Sequence, residues 1–555
     1  MTLQIRSTPA FLLIPIAVYL LFSLSYLDLP GLHYDEVLFA NAALGNLDGS
    51  FVAWETTVAG YRLPVMLMPY MGAVKAYLYY PMFKLWGPGV AAVRLPVILL
   101  GLVTLFFTYA FVRQTLGPCT ALLSVVLLAS DPTFIFIQKT DWGPIALMMV
   151  LKVASLYFVF RWLNKGNTLW LSVACFLMGV GVFDKVIFVW YVAALAVALP
   201  LCFWSSLKER LTAKSCGLAL LSFLAGCFPF IVFTIKTHGD SLTNPNLFHL
   251  SRLQDFMLRW NVLRGTLNGT AVYNFFNNEF LQNLAPLLRR ENEAGLQSTL
   301  AAVEETIAHD GTYQVAALFL SILVIAVLLK KGRLQFGSSV LFCLFLPVSM
   351  MGMIFMTPGA TGIQHFVTVY PFSHLVIALA LCQSEGLDKL QPRRWFPVFR
   401  LTAFALGLLL VISQLHADVR YLQSLRRTGG VGIWSDAIYP LAEYAQDHPD
   451  KLYALMDWGF SNQLLVLTQG RIKKEESFVS IKDSSNEEEK MRRMCHLLER
   501  SNTLFVFHAK KYEIFPLLDT FSQALQKCQR RTQLIETFYQ RDHPPVYLIY
   551  EVLPL

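Results

Sequence analysis

Long runs without a single charged residue constrain this chain more than any other feature. Ala10 to Leu27, Leu95 to Val112, Val186 to Leu207, Ser215 to Ile235 and Thr312 to Leu329 carry no Asp, Glu, Lys or Arg. Each is close to the roughly 20 residues that cross a hydrocarbon core as a helix. Helix is the state such runs must adopt, because lipid offers the backbone no hydrogen-bond partner and no porin-like alternation runs through them. Thr115–Ser130, Trp142–Phe160, Thr168–Phe183, Ser338–Met356, His365–Leu381 and Leu401–Leu415 extend the set, giving about eleven spans by the same length criterion. Composition agrees: 15% of the 555 residues are charged, against about 25% in soluble domains. Only Arg6 precedes the first run and no small-residue cleavage site follows Leu27, so it reads as a retained helix rather than a removed signal.

Lys and Arg placement orients the array. Arg6, Arg113, Arg161, Lys165, Lys208, Arg210, Lys214, Lys330, Lys331, Arg333, Lys389, Arg393, Arg394 and Arg400 gather in short loops on one side, which is the cytoplasmic side by the positive-inside rule. The segments 28–93 and 236–311 and everything after His416 then face outward. The expected division is a transmembrane domain over 1–415 and an extracytoplasmic α/β domain over 416–555. In the latter, Leu452–Asp457, Thr503–His508 and Val546–Glu551 read as strands, with helical Ser461–Leu467, Glu487–Arg500 and Tyr512–Gln529 beside them. The net charge of +8 follows largely from the loop bias and calls for no nucleic acid.

The first outer segment contains an aromatic stretch, Tyr70 to Trp86 with Lys75 and Lys84, that suits a helix lying in the membrane interface and interrupted at Pro81. In the second, Leu247 to Leu267 reads as a helix, with Arg252 and Arg259 seven residues apart on one face, and an acidic helix is expected near Arg290 to His309. Of the nine cysteines, Cys119, Cys175, Cys202, Cys227 and Cys343 fall in spans and read as small apolar residues. Cys495 and Cys528 lie in the outer tail, where an oxidising compartment permits a bridge.

Candidate chemistry begins at His33-Tyr34-Asp35-Glu36, just past the first span. An acidic pair at the membrane surface is a candidate general base, since proximity to lipid raises a carboxylate pKa toward the working pH. Adjacent residues point apart on a regular backbone, so one of the two faces a substrate, and Asp35 is favoured over Glu36. Asp141 lies on the same side, where a helix N-cap explains it equally well. Lys152 falls mid-span and must meet protein, a cavity or a partner, while Asp184-Lys185 reads as a short outer turn between spans. Gln364, His365 and Tyr370 open a later span at the level of Asp35. Asp35, Glu36 and Asp141 could together hold a hard divalent cation such as Mg or Mn, although their spacing carries no metal signature.

As an ordered series, Tyr34-Asp35-Glu36, Tyr70 to Gly87, Val93-Arg94-Leu95-Pro96, Arg113 to Gly117 and Asp141 resemble the GT-C glycosyltransferases. That group takes sugars from polyprenyl phosphates and includes protein O-mannosyltransferases and the aminoarabinose transferase of lipid A. Gln364 to Pro371 is similar to an Arg-aromatic-x-x-Pro-x-Tyr-Pro element of the family, with Gln364 where Arg is usual and Thr368 where Pro is usual. The resemblance implies a polytopic GT-C-like helical fold with interfacial helices and an inverting transfer from a polyprenyl-phosphate donor. Asp35 would be the base that deprotonates the acceptor, and Asp141 the second acidic position, placing the acceptor, the base or a metal. An anionic phosphate leaves, so outer cations are required; the candidates are Lys75, Arg94, Lys139, Arg252 and Arg259, with Tyr34, His365 and Tyr370 as further substrate contacts. The acceptor would be an extracytoplasmic glycan, lipid or protein, and the site a bacterial inner membrane with the N-terminus cytoplasmic. The competing class is a transporter or flippase for a lipid-linked or sugar substrate, which the one-sided long loops and lack of paired halves disfavour.

Overall fold

The computed structural model describes residues 9–45, 52–239, 253–277, 311–332, 334, 337–357, 360, 362–383 and 398–553. The expected acidic helix near 290–309, Arg252 and part of the basic-loop set lie outside these residues. Every apolar segment expected from the sequence coincides with a helix. Seven helices are long and apolar enough to cross a membrane, or eight with one bent pair counted as a span; Leu13–Leu24, Thr168–Asp184 and Gln314–Lys330 are shorter apolar helices.

In chain order, the helices up to the middle of the chain are α1 (Leu13–Leu24), α2 (Tyr34–Ala43), α3 (Ala76–Trp86), α4 (Val90–Thr115), α5 (Pro118–Ala129), α6 (Pro132–Thr140), α7 (Ile145–Lys165) and α8 (Thr168–Asp184). They are followed by α9 (Val189–Arg210), α10 (Ala213–Lys236), α11 (Leu253–Asn268) and α12 (Thr270–Asn277). Local sequence sets their ends. α5 and α6 meet at a 64° bend because Pro132 has no N–H to continue the first helix, while the Asp131 carboxylate caps the second by accepting from Phe134 N–H at 2.8 Å. Two spans approach through glycine: a Cβ on Gly179 of α8 would lie 2.2 Å from the Phe223 carbonyl oxygen of α10, and one on Gly226 2.3 Å from that of Phe176. Only glycine admits this backbone contact, as in close-packed membrane helix pairs.

The first outer segment folds differently from its expected interfacial helix. β1 (Trp54–Val58), β2 (Tyr61–Met68) and β3 (Met71–Gly72) form a small antiparallel sheet, and helix begins only at Ala76. Met71 also bridges to Lys185, and Val186 N–H donates to the Tyr70 carbonyl at 3.1 Å. Gly72 permits this, since a Cβ there would sit 2.4 Å from the Phe183 carbonyl oxygen. Pro81 lies inside α3 without ending it. The carbonyl it leaves without a helical donor belongs to Tyr77, which is exposed.

One unbroken helix, Val398–Thr428, runs through the expected 415/416 domain boundary, so the transmembrane and α/β parts share an element. The α/β part is a mixed five-stranded sheet in the order β5-β4-β6-β8-β7. Here β4 is Leu452–Leu455, β5 Lys473–Glu475, β6 Thr503–His508, β7 Arg531–Tyr539 and β8 Pro545–Leu553. β5, β4 and β6 are parallel, and β8 and β7 add antiparallel. Cys495 bonds to Cys528, and Cys119, expected as a simple apolar filler, bonds to Cys382.

Candidate active site

The α2 N-terminus carries the acidic pair. His33 caps it: its Nδ1 accepts from Asp35 N–H at 3.3 Å, while its own N–H donates to Glu36 Oε2 at 3.2 Å. This capping box sends the two carboxylates to different places, as adjacent positions on a helix require. Glu36 turns inward to Arg94, with Nε to Oε1 at 2.6 Å and Nη2 to Oε2 at 3.0 Å, both side chains buried. Asp35 turns outward and is half-buried at the edge of a cavity of about 250 Å³.

That cavity is assembled from distant segments. α2 gives Asp35, the β2–β3 turn gives Tyr70, and the α6–α7 loop gives Trp142. The α8–α9 junction gives Lys185 and, one turn on, Trp190; the start of the helical stretch Ile363–Cys382 gives Gln364 and His365. Among the described residues neither the Asp35 carboxylate nor the Lys185 ammonium has a hydrogen bond or ion pair. Burial raises the Asp35 pKa above the ordinary carboxylate value, with Lys185 and then Lys75 pulling it back. Burial lowers that of Lys185, opposed by Asp35, Asp141 and Asp184. Each group thus sits in an environment that makes its charge costly and its proton affinity tunable.

Asp141 lies one layer behind. Its Oδ2 pairs with Lys75 Nζ at 2.7 Å and its Oδ1 accepts from Ala146 N–H at 3.0 Å, at the start of α7. The N-cap position of α7 is Pro144, so Asp141 is not its N-cap residue; it ends α6 and reaches forward to the first turn of α7 from within a charged cluster. Lys75 also donates to the Gly143 carbonyl at 2.5 Å and lies over the Phe39 ring.

Other expected contacts are engaged elsewhere and do not line the cavity. Arg94 also donates to the Leu27 carbonyl at 2.7 Å. Lys139 closes the end of the first span by donating to Ser25 and Tyr26 carbonyls at 2.8 and 2.7 Å. Arg259 is buried and donates to the Ile354 carbonyl at 3.2 Å and to that of Phe355. Tyr370 OH donates to the Thr266 carbonyl at 2.9 Å, and the Tyr34 ring packs 4.6 Å from that of Trp458. Lys152 bonds the Thr368 and Tyr370 carbonyls, holding the segment that presents Gln364 and His365.

As a metal site the acidic set does not fit. Both oxygens of Glu36 are taken by Arg94 and both of Asp141 by Lys75 and Ala146. Among the described residues no three His, Cys, Asp or Glu side chains converge on one point.

Lys185 is the site residue that sequence reasoning missed. Its signal was present: a cation at a span end on the face opposite the basic loops has no topological reason to be there.

Comparison with known proteins bears on the fold. Residues 72–233 match the family model described as dolichyl-phosphate-mannose-protein mannosyltransferase. That match covers less than a third of the 555 residues, and over it the chain is similar to this family. A putative mannosyltransferase, YkcB of Bacillus subtilis (strain 168), is 24% identical over 152 residues, 26% of this chain and 21% of that protein; the match spans about a fifth of that relative. The crystal structure of ArnT from Cupriavidus metallidurans bound to undecaprenyl phosphate superposes with a TM-score of 0.56 and 12% identity, covering 98% of each chain. The apo oligosaccharyltransferase of Archaeoglobus fulgidus gives 0.51 at 12% identity, over 90% of this chain and 69% of that one. At such identities the likeness is one of fold.

Proposed function

We propose that this protein is an inverting glycosyltransferase that moves a sugar from a polyprenyl-phosphate donor to an acceptor on the extracytoplasmic face. The observation that carries the reading is the single cavity holding one carboxylate, Asp35, and one ammonium, Lys185, both without partners among the described residues. Of the charges around it, Glu36 is paired with Arg94 and Asp141 with Lys75, and the buried, unpartnered Asp184 carboxylate does not line the cavity. A transfer of this kind needs those two elements: a base for the acceptor hydroxyl and a cation for the departing phosphate.

In this scheme Asp35 takes the acceptor proton as the acceptor oxygen bonds to C1 of the sugar. The C1–O bond to the lipid phosphate breaks on the opposite face, so the anomeric centre inverts. Lys185 meets the negative charge that grows on the phosphate, and the Lys75–Asp141 pair supports the same region from behind. Trp142, Trp190 and Tyr70 offer flat apolar faces to a sugar ring, and Gln364 and His365 offer hydrogen bonds to its hydroxyls. The undecaprenyl phosphate named with the ArnT structure supports a lipid-phosphate donor for this fold. The test is transfer of label from polyprenyl-phosphate sugars in membranes, wild type against Asp35→Asn. A loss of about 100-fold or more is expected on removing a general base, and equal transfer by both refutes the assignment.

A further inference from the structure

The base lies on a short helix whose N-terminus is held from the far end of the chain. His33 is 3% exposed, and its ring stacks on Trp434, with centroids 3.8 Å apart and planes 11° apart. Trp142, which lines the cavity, and Trp458, on the loop after β4, both approach the same ring edge-on, at 6.2 and 6.3 Å. Burial pushes the His33 pKa down to about 3, so the ring stays neutral and its Nδ1 lone pair remains free to accept the Asp35 amide.

The chain entering α2 is pinned to the same place. Gly31 N–H donates to the Trp434 carbonyl at 2.8 Å, and a Cβ on Gly31 would lie 2.2 Å from the Ser435 carbonyl oxygen. The other end of α2 is tied by Asn41, which donates to the Asn462 carbonyl at 2.9 Å. The loop carrying Trp458 is itself fixed by Asp457, whose carboxylate accepts from the N–H groups of Trp458, Ile514 and Phe515 at 2.8, 2.9 and 2.9 Å and pairs with His508 at 2.8 Å.

From this continuity we propose that His33 is a positioning residue: it takes its orientation from Trp434 and the docked α/β part, and through its cap it sets the aim of Asp35 into the cavity. The inference rests on the role proposed above for Asp35. Helix capping alone does not account for the residue, since Asn, Asp and Ser cap better than a ring nitrogen. The stacking face is what those residues lack.

The test uses the full-length purified chain and two readouts: consumption of labelled undecaprenyl-phosphate mannose, and hydrogen exchange at the amides of Asp35 to Val37. His33→Ala should lower kcat by about 10- to 100-fold, the scale of a misplaced reacting group, leave the donor KM within about twofold, and speed exchange at those amides. Trp434→Leu, which leaves the cap residue in place, should reproduce both effects. His33→Asn, a good cap without a ring, should restore slow exchange but not full kcat. Wild-type kcat in His33→Ala, or wild-type kcat and exchange in Trp434→Leu, overturns the proposal. So does full kcat in His33→Asn, which would leave the stack without a role. If Trp434→Leu does not fold, the contrast between His33→Ala and His33→Asn decides alone. If the wild type consumes no donor, the transferase reading has failed for that sugar, while exchange in His33→Ala and Trp434→Leu still reports whether Trp434 acts through the His33 cap.

Discussion

Replacing Glu36 by Gln separates a structural carboxylate from a catalytic one. The Glu36 and Arg94 side chains are 1% and 0% exposed, joined by two hydrogen bonds of 2.6 and 3.0 Å. Gln keeps the shape but turns one acceptor into an amide NH2 facing the guanidinium. Arg94 would then keep one side-chain acceptor at position 36 and the Leu27 and Gly31 carbonyls, at 2.7 and 3.5 Å, but no counter-charge. One-sided loss of a buried pair costs about 3–5 kcal/mol. An exposed pair such as Lys510–Asp519, at 72% and 67% exposure, is screened by solvent and contributes little, so the two cases are easily told apart. A melt in detergent followed by size exclusion should show the single variant unfolding roughly 5–15 °C earlier. Adding Arg94→Met to Glu36→Leu should recover most of that loss, because an apolar pair of similar volume removes the uncompensated charge. Turnover per folded molecule should stay close to wild type in both. A Glu36→Gln protein that melts like wild type yet loses about 100-fold or more in turnover would show that Glu36 moves a proton, and the scaffold reasoning would be wrong.

Asp35 must be ionised to act, and burial raises its pKa, so activity should fall as pH drops through a value above the ordinary carboxylate range. Lys185 pulls that value down; in Lys185→Gln the acid limb of kcat/KM should therefore move to higher pH, and a limb that stays put or moves lower contradicts the arrangement. Asp141→Asn strands the buried Lys75 ammonium and should destabilise the fold by about 3–5 kcal/mol, with Lys75→Met restoring the melting temperature in the double variant. For topology, Ser485→Cys should react with an impermeant thiol reagent on intact cells, whereas the native exposed Cys216, in the basic-loop region, should react only after permeabilisation.

What was legible in the sequence follows from the range of the forces involved. A charge-free run of membrane length reports its own state, because the backbone must satisfy itself within the segment, and the apolar helices fell where those runs did. The strands missed in the α/β part are its two edges. β5 is the charged triplet Lys473–Glu475, and β7 is largely exposed; edges carry polar residues to block further pairing, which erases the alternation that marks a strand. Asp35 was legible because its position relative to the first span is local. The identity of its partner was not. Lys185 reaches the cavity only because Met71 bridges to it across the fold, and Arg94 is withdrawn only because Glu36, 58 residues away, claims it. Sequence gives each cation a membrane side but not a partner, and the chemistry depends on which one is left over. Of the candidate cations within the described residues, Lys75, Arg94, Lys139 and Arg259 are all engaged away from the cavity lining, and the cation that lines it is Lys185. In a dry site a charge with a partner is scaffold, and a charge without one is held at a cost that a substrate of opposite sign can repay.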